Sequence, residues 1–402
     1  MATVRFGDVA ERVNTKEDRL NTDLVYYVGG EHIESNALTV SGRGKIKEAD
    51  LGPMFYFGFK PGDILFVTRN PHLRKCATVD FSGICSEKTL VIGTKDEDVL
   101  SQKYLATVMQ SDDFWEFMEE NKSGSVNYFI NWSTLADYEF DLPSIARQRE
   151  LANLLWAAND LKESYKKAIT ATDEMLKAKF REMFGEVGDA SRRAAESRSE
   201  GYRAKSSAGE EQNVKMVKLK EITQGFRNGL SPSRRGDIHA KVLTLTAITQ
   251  GTFDASQWKD ATFDDVPAID KYISESDFYI CRGNGNKSLV GVGVAAPSDY
   301  EDLVFPDTMI AVKIDQQVID LKFLAFAWKS ISVRKQIESI AKTTNGIYKI
   351  NQEGLGGVAI PLPPLSLQRE FVAIAERADA AKSALKQSIA DIDQVMKGLI
   401  NG

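Results

Sequence analysis

A chain of 402 residues is long enough for two or three domains, each with its own core. At 43% hydrophobic and 27% charged it has the composition of an ordinary globular protein, and no apolar run approaches the length that crosses a bilayer. A formal net charge of −6 weighs, at face value, against a polyanionic partner, so the placement of the charges decides more than their sum.

Met1 to Asp8 is mixed and polar, unlike a signal peptide, and the expected location is the cytoplasm, with no membrane partner. Residues 1–143 alternate short β-type runs with polar loops. Asp63-Ile64-Leu65-Phe66-Val67, behind Pro61-Gly62, reads as a buried strand, and Thr89-Leu90-Val91-Ile92 as another. Tyr104 to Met118 has helical spacing. This domain carries 15 Lys and Arg against 23 Asp and Glu, yet its basic residues gather in Gly/Pro/Asn-rich loops at 41–47 and 69–75.

Residues 144–184 read as a long helix. Leu151, Leu154, Ala158, Leu161, Tyr165, Ala168, Thr172, Met175 and Phe180 step by three and four, the seam of a coiled coil. Residues 185–215, poor in large apolar side chains, read as a flexible linker long enough to let a second helix return antiparallel. Residues 216–363 form a second domain with 17 charges of each sign and a basic loop at 225–235. Residues 364–402 form a second seam helix through Phe371, Ile374, Ala378, Ala381, Leu385, Ser388, Ile392, Val395 and Leu399. At 1.5 Å per residue each helix spans roughly 55 to 60 Å, the length of a spacer rather than of a core element.

The second half repeats the first. Asp141-Leu142-Pro143-Ser144-Ile145-Ala146-Arg147-Gln148-Arg149-Glu150 is answered 220 positions later by Pro361-Leu362-Pro363-Pro364-Leu365-Ser366-Leu367-Gln368-Arg369-Glu370. Upstream, Asn127-Tyr128-Phe129-Ile130-Asn131 answers Ile347-Tyr348-Lys349-Ile350-Asn351. Asp277-Phe278-Tyr279-Ile280 matches the first strand at an offset of 214, and Thr308-Met309-Ile310 matches the second at 219. A period this long is a duplicated domain plus helix, not a solenoid. The fold class expected is α/β (α+β): two similar globular domains and two long antiparallel coiled-coil helices, related by a pseudo-two-fold internal repeat.

Motifs for chemistry are missing. No phosphate-binding loop, nucleophile elbow or H-E-x-x-H occurs, and the Asn- or Asp-Pro-Pro-aromatic loop of amino-group methyltransferases is absent too. Gly291-Val292-Gly293-Val294-Ala295-Ala296 matches a loose dinucleotide pattern but reads as a hairpin strand. Cys76, Cys85 and Cys281 have no paired spacing and, with three histidines in all, imply neither disulfide nor zinc.

The repeated L-P-x-x-x-x-Q-R-E entrance to a heptad helix, once in mid-chain and once at the end, with an α/β domain before each, resembles the specificity subunits of type I restriction–modification systems. The resemblance spans essentially the whole chain. It implies two target recognition domains that each read half of a split double-stranded DNA site, and a helical spacer between them. It further implies a non-catalytic chain with no cofactor of its own, which docks two methyltransferase (modification) subunits that use S-adenosylmethionine, and a restriction subunit. The contacts expected are Arg43, Lys45, Lys47, Arg69, Asn70, His72, Arg74, Lys75 and Ser125 in the first domain. In the second they are Arg227, Asn228, Ser233, Arg234, Arg235, Arg282, Asn284, Asn286, Lys287 and Asn345, since Arg and Lys suit phosphate or guanine and Asn suits adenine. The competing reading is a coiled-coil scaffold that presents two protein-binding domains and meets no nucleic acid.

Overall fold

The computed structural model describes residues 2–184, 202–205, 211–344 and 346–401. It divides into two compact units, Met1–Ile169 with Ser383–Gly402, and Thr170–Lys382. The division falls inside both long helices, so each unit holds one domain and part of each helix.

In the first unit β1 (Ala2–Arg5) leads through α1 (Phe6–Val9) into β2 (Ala10–Val13). β3 (Tyr26–Val28), β4 (Gly44–Lys45), β5 (Phe55–Phe59), β6 (Ile64–Val67), β7 (Cys76–Thr78), β8 (Gly83–Ser86) and β9 (Thr89–Thr94) follow. They form two four-stranded sheets, in the orders β2-β9-β6-β7 and β4-β3-β8-β5. The run Ile64-Leu65-Phe66 lacks polar alternation because both faces of its sheet are covered. Ile64, Phe66, Leu90 and Ile92 face α2 (Gln102–Val108) and α3 (Asp112–Glu120), where Trp115 stacks on Phe66 at 5.5 Å. Leu65 and Val91, pointing the other way, pack on Val28, Phe57 and Phe59 of the second sheet. Ser111 caps α3 by accepting from the Phe114 N–H. After α4 (Trp132–Ala136), β10 (Glu139–Leu142) pairs antiparallel with β1 and delivers the chain to α5 (Ile145–Phe184).

The second unit repeats this topology. β11 (Tyr202–Lys205) and β12 (Glu211–Lys218) form a hairpin, and β13 (Thr223–Asn228), β14 (Ile238–Leu243), α6 (Thr246–Thr249) and β15 (Trp258–Phe263) follow. Next come β16 (Tyr272–Ile273), β17 (Asp277–Cys281), β18 (Gly283–Asn284), β19 (Gly293–Ala295), β20 (Tyr300–Val304) and β21 (Met309–Ile314). The sheet orders β13-β21-β17-β19 and β15-β14-β20-β16 are those of the first domain, strand for strand. The glycine-rich segment is the expected hairpin strand, β19 against β17. α7 (Leu321–Trp328) and α8 (Ile331–Ile340) cover the helix-side face. β22 (Lys342–Thr344), β23 (Ile347–Lys349), α9 (Gln352–Gly356) and β24 (Ala359–Leu362) complete the domain, and α10 (Leu365–Asn401) leaves it.

Three sequence expectations change. The linker ends earlier than Lys215, because β11 and β12 are strands and Lys215 pairs with Leu362; residues 185–201 and 206–210 lie outside the described residues. Strand β21 matches β9 at an offset of 220, not 219: Phe66 pairs with Leu90 where Ile280 pairs with Ile310. A slip of one residue would have exchanged the two faces. The helix seam is also displaced. Leu154, Leu161, Met175 and Val395 are exposed at 54%, 45%, 49% and 59%, whereas their neighbours Leu155, Leu176 and Met396 are buried.

The repeated Q-R-E motif has a structural cause. Gln148 is fully buried; its Oε1 accepts from the Ser101 N–H at 3.0 Å, and its Nε2 donates to the carbonyls of Val99 (3.0 Å) and Pro143 (2.9 Å). Gln368 does the same in the second unit, accepting from the Asp320 N–H at 2.8 Å and donating to Val318 (3.2 Å) and Pro363 (2.8 Å). Each glutamine thus ties a helix entrance to the loop before α2 or α7. Gln148→Ala leaves these backbone groups without partners, and unfolding measurements should show a loss of about 3 kcal/mol, with Gln368→Ala costing the same.

Within each unit the long helices run antiparallel, marked by ion pairs that are also repeat equivalents. Lys162 meets Asp393 at 2.5 Å in the first unit, and Lys382 meets Asp173 at 2.7 Å in the second. In the second unit Phe180 and Phe184 of α5 interlock with Phe323 and Phe371 at centroid distances from 5.1 to 5.8 Å. All three cysteines are buried and free, and burial pushes the Cys281 thiol up to about 11. Among the described residues no helix is long and apolar enough to cross a membrane, and no group of His, Cys, Asp or Glu is arranged to hold a metal ion.

Candidate nucleic-acid interface

In the first domain β6 runs out at Val67 into Arg69-Asn70-Pro71. Asn70 and Arg74 both adopt the left-handed conformation, at φ 54° and 49°, which folds the segment into a tight single turn. The Asn70 N–H donates to the Tyr128 carbonyl at 3.1 Å, the Arg69 guanidinium donates to the Asn127 carbonyl at 3.3 Å and lies 5.0 Å over the Phe129 ring. Backbone bridges Arg69–Phe129 and Ser123–Phe129 complete a three-segment ladder. This brings Arg69 and Asn70 beside the exposed turn that carries Ser125. It also forms a cleft of about 310 Å³ lined by Gly29, Gly30, Arg69, Asn70, Lys75 and Lys88. Lys88, which also borders a second cleft with Arg12 and Arg69, was not anticipated; a lone lysine ahead of a strand carries no signal in the sequence.

The other basic residues of this domain part company. The Lys75 ammonium donates to the Gly30 carbonyl at 2.6 Å, at the floor of the cleft. Arg74 is committed to Asp112 at 2.6 Å, and the contact holds that carboxyl below its usual range. Arg74 is therefore a strut between its turn and α3 rather than an open contact. His72 is exposed on the turn. The 41–47 loop lies on the other sheet, where Arg43 is stacked 4.2 Å over Tyr26 and 4.8 Å over Phe81, Lys45 pairs with Glu48 at 2.7 Å, and Lys47 is exposed.

The second domain builds the same ladder from longer strands: β18, β23 and β22 lie side by side in that order, where the first domain has Arg69, Phe129 and Ser123. Arg282 enters it, donating to the Asp307 carbonyl at 3.1 Å. Asn284 and Asn286 spend their side-chain oxygens on their own turn, accepting from the N–H groups of Asn286 (2.9 Å) and Ser288 (3.0 Å), while Lys287 is exposed. Asn228 accepts from Gln352 at 3.1 Å, joining β13 to this edge. Ser233 donates to Asp264 at 2.7 Å and shapes the loop on which Arg234 and Arg235 stand exposed. Asn345 lies outside the described residues.

Arg227 is placed against a buried carboxylate. Its guanidinium forms an ion pair with Asp277, which is 1% exposed, and donates to the Asp270 carbonyl at 2.7 Å. Tyr279 donates to the same carboxylate at 3.2 Å. Burial pushes the Asp277 carboxyl up and Arg227 pulls it back, so the half-buried arginine serves as the counter-ion of a buried carboxylate.

No family model matches the chain. A curated relative, the specificity subunit of the type I restriction enzyme StySPI from Salmonella potsdam, is 28% identical over 120 residues, 30% of this chain and 26% of that protein. The chain thus matches about a quarter of that relative's length. Among solved structures, the S subunit of a type I restriction–modification system from M. genitalium superposes with a TM-score of 0.57 at 14% identity, covering 99% of this chain and 94% of that one. A chain from a structural study of assembly and conformational transition in a type I R-M system gives 0.57 at 16% identity, over 99% and 96%. The fold is that of these S subunits, in line with the resemblance stated from the sequence.

Proposed function

We propose that this chain is the DNA specificity subunit of a type I restriction–modification complex, non-catalytic itself, whose two domains each read half of a split site. The observation that carries this reading is the duplicated ladder. Two domains of one topology each present cations at the same place, around Arg69 in one and around Arg282 and Lys287 in the other. Positive groups there suit backbone phosphates and guanine edges, and the neighbouring amides and hydroxyls suit adenine. The acidic remainder of the chain limits unspecific attraction, so the clamping charge is assigned to partner subunits.

Arg69→Ala and Arg234→Ala test the reading in the full chain with its modification subunits. Each should weaken DNA binding, and the plot of log affinity against log salt should become shallower by about one for a lost phosphate contact. Unchanged affinity and slope for both would argue for the scaffold reading.

Modification subunits, which bring S-adenosylmethionine and methylate adenine, and the restriction subunit are assigned to the helices. Leu154 and Leu161 are exposed apolar side chains on α5 with no role in the core of their own unit. Leu154→Glu with Leu161→Glu should abolish co-purification of the modification subunits while leaving the melting temperature of the chain unchanged.

A further inference from the structure

The hairpin of β22 and β23 contains a repulsion that the chain does not resolve. In its register Lys342 faces Lys349, Thr343 faces Tyr348 and Thr344 faces Ile347. Alternation along the strands puts Thr343 and Tyr348 on one face, where Tyr348 packs against the hydrophobic core. Lys342, Ile347 and Lys349 share the opposite face and are exposed, Ile347 at 42%. Like charges directly opposite each other destabilise an antiparallel pair. Neither lysine has an acidic partner among the described residues, unlike Lys241, Lys271 and Arg334, which pair with Asp302, Asp270 and Glu338. On the third strand Gly283 pairs with Lys349, and a Cβ there would sit 3.2 Å from the Lys349 Cγ, so the lysine stem passes close over a position without a side chain. Gly346, at φ 75°, closes the turn beside Ile347.

Two exposed lysines opposite each other in the register, with the exposed Ile347 beside them, fit an anion flanked by a base edge. β18 pairs only with Tyr348 and Lys349, so beyond them the hairpin continues as a two-stranded ribbon, of the width that the major groove admits. We infer that the β22–β23 hairpin is the base-reading element of the second domain: it enters the major groove, Lys342 and Lys349 hold backbone phosphates, and Ile347 packs on a thymine methyl. The inference rests on the DNA-recognition reading above and names which residues carry it. In the first domain the same ladder bears Arg69, Phe129 and Ser123 instead. The cation there is on a different strand, the one that corresponds to β18.

The test uses the full chain with its modification subunits, selecting from a library of random duplex DNA. Wild type enriches a split site. Lys342→Ser with Lys349→Ser enriches the same site but binds about tenfold to a hundredfold more weakly, with a salt slope shallower by about two. It also melts no lower than wild type, because the repulsion is gone. Ile347→Gln changes the preferred base in one half-site and leaves the other half alone. Unaltered affinity and preference in both variants, with wild type still enriching its site, would overturn the hairpin while leaving recognition intact. A lysine variant that loses binding only together with its melting temperature would make the pair structural and overturn the inference as well. A wild type that enriches no sequence would remove the recognition reading, and the hairpin with it.

Discussion

Replacing Arg227 with methionine should lower the stability of the second unit by about 3 to 5 kcal/mol, the cost of leaving a buried carboxylate without its counter-ion. The melting transition of that unit should fall by on the order of 10 °C. Asp277 is the reason: it is 1% exposed, and Arg227 and the Tyr279 hydroxyl are the groups that meet its charge. The loss depends on pH with a definite sign. Burial raises the Asp277 carboxyl in the folded state, so the folded chain holds that proton more tightly than the unfolded chain does. Stability from the bound proton is fully present below the unfolded value, near 3.8, and is lost as pH rises through the folded value. Without Arg227 the folded value rises further, so the deficit of the variant is small at acid pH and grows toward neutrality. Thermal melts at two pH values check this, and equal deficits at both would contradict it. Arg69→Met, on an exposed turn, should shift the melting temperature little while weakening DNA binding.

The second large effect concerns the gap between half-sites. Four residues inserted after Ala168, with four more after the repeat-equivalent Ser388, lengthen each helix by about 6 Å. At about 3.4 Å per base pair this is roughly two base pairs. The recognised sequence should keep both half-sites and gain one or two unread positions between them. Two readers on one face of the duplex tolerate only separations near a helical turn or its multiples, so a large insertion should abolish recognition rather than extend the gap indefinitely. Mapping methylated positions in DNA from cells that express the variant reads the result directly. An unaltered gap would show that helix length does not set it.

Much of this architecture is legible in the sequence because the duplication prints each element twice. Buried strands such as Ile64-Leu65-Phe66 stand out since both sheet faces are covered, and Gln148 stands out because its counterpart Gln368 recurs in the same motif. What was hidden depends on contacts distant in the chain. Arg227 reads as a loop cation in the sequence because Asp277, its partner, lies 50 residues away. Arg74 reads as an open loop cation because Asp112 is 38 residues away. The helix seam is ambiguous in the sequence because adjacent apolar pairs, Leu154-Leu155 and Met175-Leu176, let two stripes fit the same three-and-four spacing, and only packing selects one. Lys342 and Lys349 carried no signal until the hairpin register set them opposite each other.

Paired recognition modules without chemistry of their own are the centre of this account, and single-molecule methylome sequencing tests them most directly. A host lacking other adenine methyltransferases would carry this chain together with its modification subunits. The account predicts one adenine-methylated motif made of two short specified halves separated by a fixed run of unspecified bases, and no such motif when the chain is omitted. A continuous motif, or the same motif without the chain, would contradict it.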